Sequence, residues 1–164
     1  MSKAKAQFID PREHGARFLD LRQPVFDSDA VARADQTLSA MSASFQQWLD
    51  ADILRLQNAR QAAEEAAWSN PALNELWGVA HELKGMGGSY GYPLVTEIAA
   101  SLCRLIETDS GKRAAQQAPG LVAAHVDALR AIARDKIQTG EHPIGRALSQ
   151  TLAAQVERLG VAPR

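Results

Sequence analysis

The sequence predicts an all-α fold: an antiparallel up-and-down four-helix bundle with an N-terminal arm and an added C-terminal helix. Three observations predict it. Thirty of the 164 residues are alanine, and Leu, Gln, Arg and Glu fill much of the rest; these are strong helix formers. Apolar residues recur at three- and four-residue steps and never in the period-two runs of a strand. The breaks between helical stretches are short, which makes successive helices antiparallel neighbours.

Residues 1–27 hold Pro11, Gly15 and Pro24 and no sustained period, so they read as an arm. Residues 28–140 read as the bundle, and 141–164 as a helix packed on it or extending it. Ser28 or Asp29 can cap a helix starting near Ala30. It continues without Gly or Pro to about Ala67, with a stripe that includes Val31, Leu38, Met41, Phe45, Leu49, Ile53 and Leu56. The pattern fits one long helix or two with a bend near 42–44. Asn70 as cap and Pro71 at the first helical position start the next helix, over 71–87, with Leu73, Leu76, Ala80 and Leu83 inward. G-M-G-G-S-Y-G-Y-P breaks it, since each Gly costs about 1 kcal/mol of helix propensity relative to Ala. Pro93 restarts a helix reaching Glu107, with Leu94, Val95, Ile98, Leu102, Leu105 and Ile106 inward. T-D-S-G-K-R reads as a loop. A helix over 119–137 turns Leu121, Val126, Leu129 and Ile132 inward. A last one, over 144–159, does so with Leu148, Leu152, Val156 and Leu159.

Composition excludes several function classes. Eighteen basic against nineteen acidic side chains leave a net charge of −1, so no global field draws the chain to nucleic acid or an anionic membrane. One cysteine, Cys103, excludes an internal disulfide framework and a multi-Cys zinc site. The N-terminus lacks the apolar core of a secretory signal, and no stretch approaches ~18 uncharged apolar residues. A cytoplasmic protein is expected.

The chemistry points to His81. With Ala80 at the centre of the buried face, His81 lies on its flank. Gly88 falls about 20° from it, Gly85 about 40° and Lys84 about 60°, at 100° per residue. Bulky side chains are missing where they would cover that flank, so a partner's backbone could approach the ring. Neutral imidazole has a free lone pair near pH 7, the ordinary histidine pKa being ~6.5. Lys84, at i+3, reaches the same patch and favours an incoming anion. These features suit a nucleophilic histidine that accepts a phosphoryl group. The bland alternative is that the glycines only make a tight turn.

The segment A-H-E-L-K-G-M-G-G-S-Y-G, residues 80–91, resembles the H-x-L-K-G-(small)-(small)-x-x-x-G signature of histidine-containing phosphotransfer (Hpt) domains. His81 matches the phosphorylated histidine, Lys84 and Gly85 the K-G pair, and Gly91 the final glycine. L-C-R-L-I-E at 102–107 resembles a further stretch of the family. The resemblance implies an intermediate with no ATP site, not itself a kinase. It would take a phosphoryl group from a receiver-domain aspartate onto His81 and pass it to another receiver. It implies partners among response-regulator receiver domains, with a hybrid histidine kinase as a further one. No cofactor or metal of its own is expected; the Mg²⁺ would belong to the receiver. The docking neighbourhood would hold Gly85, Gly88, Trp77, Glu82, Tyr92 and Cys103. Two departures stand out. Met86 occupies a position where the family usually has Ser, and Cys103 one where a Gln often faces the histidine.

Rival patterns are weaker. H-E-L-K-G has Gly85 where the zincin motif needs His. A basic residue after H-E is similar to the phosphoacceptor helix of sensor kinases, so a phosphotransferase mimicking their dimerisation domain is one alternative; Glu82 reads as solvated. A non-catalytic helical adaptor is the other, favoured by Met86. His14, His125 and His142 read as surface or boundary residues, Trp48, Trp68 and Trp77 as core or boundary. Arg104, Arg113 and Arg130 read as solvated faces, with rim contacts for an acidic partner as the alternative.

Overall fold

The computed structural model describes residues 28–161. The predicted arm, with His14, lies outside the described residues. Six helices follow in order: α1 Ser28–Glu65, α2 Asn70–Met86, α3 Pro93–Glu107, α4 Asp109–Gln117, α5 Pro119–Arg134 and α6 Pro143–Arg158. Among the described residues there is no strand.

Contacts divide the chain after Thr37. Residues 28–37 are the opening turns of α1. Val31, expected inward, is 46% exposed, and the Thr37 hydroxyl donates to the Arg33 carbonyl at 2.9 Å.

From residue 38 the chain forms the bundle. α1 is one helix, not two. The Ser44 hydroxyl donates to the Ala40 carbonyl at 3.2 Å, so it bonds within the helix instead of competing with it. Met41, placed on the inward stripe, is exposed; burial starts in earnest at Leu49 and continues through Ile53, Leu56 and Ala63. α3, with the most apolar sequence face, packs against α2, α4, α5 and α6. α1 lies beside α2, tied by the Arg55–Glu82 ion pair at 2.8 Å. It also lies beside α5, across a groove lined by Gln46, Asp50 and Ile53 on one side and Arg130 and Ala133 on the other.

Several local expectations need correction. The predicted loop after Glu107 is α4. Thr108 caps it, its hydroxyl accepting from Gly111 N–H at 3.1 Å, and Gly111 sits where a Cβ would run into the Leu105 carbonyl. The cap of α2 is Ser69, not Asn70; the Asn70 side chain instead accepts from Gln116 at 3.1 Å. α5 ends at Arg134, three residues early, and Lys136 turns the chain at φ 51°. Leu159, expected inward, is exposed. α6 starts on His142, whose Nδ1 accepts from Gly145 N–H at 3.3 Å. Gly145 lets α6 close on the core, since a Cβ there would strike the Leu94 side chain and lie 3.3 Å from Ile132 Cδ1.

His125 is the largest correction among the side chains: it is fully buried. Its Nδ1 lies 2.7 Å from the Leu121 carbonyl and its Nε2 3.0 Å from the Ser101 hydroxyl. A carbonyl can only accept, so Nδ1 carries the proton and Nε2 accepts from Ser101. Burial pushes its pKa down to about 4, against the opposing Leu121 bond, and the Arg104 charge pushes the same way. It is a neutral core histidine joining α3 to α5.

Candidate functional site

α2 buries Leu73, Leu76, Ala80 and Leu83. One residue past Ala80 the helix has turned about 100°, and His81 is exposed. One turn earlier on the same side lies Trp77, half-buried. The indole and imidazole stack, with centroids 4.7 Å apart and planes inclined at 24°. Lys84, one turn later, is also exposed.

The facing wall comes from α3. Ala100, Cys103, Arg104 and Glu107 follow at steps of three, one and three, which is one helical face, opposite the apolar face. With Trp77, His81 and Lys84 they line a cleft of about 320 Å³. The site therefore holds one imidazole, two cations and one carboxylate. The Cys103 thiol is buried; burial pushes its pKa up to about 11, Lys84 opposing and Glu107 reinforcing. It is a neutral thiol at pH 7 and a poor nucleophile. The Trp77 Nε1–H is buried and has no hydrogen-bond partner among the described residues.

The glycines sort into two kinds. A Cβ on Gly85 would meet nothing within 4 Å, and one on Gly88 only the Thr96 hydroxyl at 3.9 Å. Packing does not require either to be bare, and both are exposed; Gly85 is on the His81 side of α2, while Gly88, expected there too, lies in the turn beyond its end. Gly87 is different. Its Cβ would stand 2.8 Å from Thr96 N and Oγ1 and 3.1 Å from Val95 Cγ1, so this glycine serves the close approach of α2 to α3. The turn itself is made by Gly91, at φ 81°, and closed by Tyr92 N–H donating to the Gly87 carbonyl at 2.8 Å.

Of the residues expected around His81, the cleft brings together Trp77, Lys84 and Cys103. Gly85 flanks it in the last turn of α2, whereas Gly88 lies past the helix end and faces a different hollow, with Met41 and Phe45. Glu82 is exposed, as expected, but held by Arg55 and outside the cleft. Tyr92 is not a boundary residue: it is buried, and its hydroxyl donates to Gln46. Met86 is 42% exposed and does not line the cleft, being about 140° around the helix from His81. Arg104, expected on a solvated face in preference to a partner's rim, lines the cleft instead. The 100–103–104–107 spacing on the non-apolar side of α3 was the available signal. Trp48 is neither core nor boundary. It is 53% exposed and clusters with Phe45 and Tyr90, its ring centroid 5.5 Å and 6.4 Å from theirs.

The family model of the Hpt domain matches residues 40–132. The chain belongs to the Hpt domain family. The matched span carries α1 from residue 40, all of α2, α3 and α4, and most of α5, and it includes every residue of the cleft. No curated protein and no solved structure matches the chain significantly. The Hpt domain ties this chain to histidine phosphotransfer in two-component systems, a process in which Hpt domains meet receiver domains and kinases. Among the described residues of this Hpt protein, no helix is long and apolar enough to cross a membrane.

Proposed function

We propose that this protein is a phosphorelay intermediate that carries the phosphoryl group on His81. The single observation that supports the reading most is the solvent-exposed imidazole, stacked on Trp77 and sharing its cleft with Lys84, on a flank where Gly85 has no neighbour to avoid. A ring nitrogen of His81 attacks the phosphorus of a receiver's aspartyl phosphate. The N–P bond forms as the P–O bond to the aspartate breaks, and the carboxylate leaves with the electron pair. The imidazolium so formed gives its other N–H proton to water. The reverse sequence loads a second receiver. The receiver brings the Mg²⁺, and this chain supplies position and charge. Of the two alternatives, the adaptor reading drew on Met86, which lies off the cleft. The kinase-mimic reading drew on Glu82, which Arg55 engages.

The test is transfer from a panel of phosphorylated receiver domains to the full chain. Acid-labile, base-stable label on wild type and its loss in His81→Gln, with helicity unchanged, is the expected result. Label that persists in the variant removes His81 from the scheme.

A further inference from the structure

Resting on that reading, we infer that Arg104 is a second phosphoryl-binding cation, acting from α3 while Lys84 acts from α2. The cleft carries the inference. Its polar lining is His81, Lys84, Arg104, Cys103 and Glu107, with the Trp77 indole stacked on the acceptor ring. Among the described residues, the cleft places two cations, Lys84 and Arg104, beside the acceptor ring, which suits a dianionic phosphoryl group. Arg104 is half-buried. Neither a hydrogen bond nor a salt bridge commits its guanidinium elsewhere among the described residues; Arg55, Arg60, Arg134 and Arg146 are each engaged by a carboxylate at 3.2 Å or less. A planar guanidinium offers five donors in a fork that fits phosphoryl oxygens. The neighbouring Cys103 supplies a neutral thiol and only a weak donor. Strong donors on this wall must therefore come from elsewhere on α3, and Arg104 is the residue of the cleft placed to provide them.

A small donor tests this without any receiver. Phosphoramidate phosphorylates imidazole directly: the N–P bond forms, the bond from phosphorus to ammonia breaks, and ammonia leaves with the electron pair. The rate is read separately at residue 81 and at His142, which caps α6 away from the cleft and serves as the reference inside the same molecule. His81 in wild type is expected to react faster than His142. Arg104→Gln should slow His81 by about tenfold, less than the roughly 10²–10³ of a donor in a water-excluded site, because this cleft is open to solvent. Arg104→Lys should stay within about threefold of wild type, and His142 should be unmoved in both. An unchanged circular dichroism spectrum accompanies each variant. A His81 rate within twofold of wild type in Arg104→Gln overturns the inference, as does a wild-type His81 no faster than His142. Equal slowing at both histidines marks a general structural effect and also overturns it. The receiver assay fails or succeeds independently, since it asks only whether His81 takes label from an aspartyl phosphate.

Discussion

Gly85 separates what the fold needs from what a docking partner needs. It lies in the last turn of α2, exposed, with no atom within 4 Å of where a Cβ would stand. In the isolated protein, Gly85→Ala and Gly85→Leu should both be accommodated. Each relieves the backbone entropy cost of a helical glycine, about 0.5–1 kcal/mol in a helix interior and less at an end. For a domain of this size that is a rise in Tm of about 1–4 °C. The same side chain would stand about 40° around the helix from His81, on the ground a receiver must cover to bring its aspartate to the ring. Leu there adds four carbons of bulk against a protein surface, where overpacking costs about 1–3 kcal/mol. Receiver-dependent transfer should therefore fall about five- to a hundredfold, converting at about 1.4 kcal/mol per factor of ten. Phosphoramidate, which needs no docking, should react with His81 in Gly85→Leu within twofold of wild type. Thermal melts and the two phosphorylation rates, measured on one preparation, check all three quantities. A Leu variant that melts lower refutes the claim that packing leaves this position free. One that accepts label from receivers at the wild-type rate refutes the claim that the bare flank serves docking.

Other outcomes follow from the same coordinates. Gly87→Ala should destabilise by about 1–3 kcal/mol, because α2 and the Thr96 backbone must move apart, and a urea melt reads the loss. His125 has a folded pKa of about 4 against 6.5 unfolded, so the unfolded chain binds the extra proton first. Its contribution is complete above about pH 6.5 and falls away by about 3 kcal/mol as pH drops to 4; His125→Gln should flatten that part of the stability–pH curve. The Cys103 thiol, pushed up to about 11 by burial, should react with iodoacetamide at pH 7.5 far more slowly than a free thiol. Urea should restore the ordinary rate, and fast modification of the native protein would contradict the burial.

Much of this was legible in the sequence because helical periodicity is local information. α2 and α3 begin within one residue of their expected starts, since Pro71 and Pro93 announce first turns; α6 begins one residue before its expected start, on Pro143, which in the sequence reads as part of the break. α4 was hidden because Gly111 and Ser110 read as loop residues; its helix depends on the Thr108 cap and on a contact with Leu105, neither of which has a periodic signature. His81 and Lys84 were grouped in the sequence because both sit on one helix at fixed spacing. Arg104 was not, because which face of α3 meets α2 is a tertiary fact. His125 and Tyr92 were misplaced for a related reason: a polar atom on an otherwise bulky side chain can be buried once a partner such as Ser101 or Gln46 satisfies it, and the partner is distant in sequence.

α6 begins eleven residues beyond the end of the family-matched span, yet it is stitched into the helix that walls the cleft. Gly145 nests against Leu94 and Ile132, and the Ser149 hydroxyl donates to Glu97 at 2.9 Å. Leu152 and Val156 are buried with them. A fragment trimmed to the family-matched span would strip this brace and leave a greasy flank of α3 open to solvent. Residues 133–158 complete the packing of α3, and any shortened version for crystallisation or binding work should keep them.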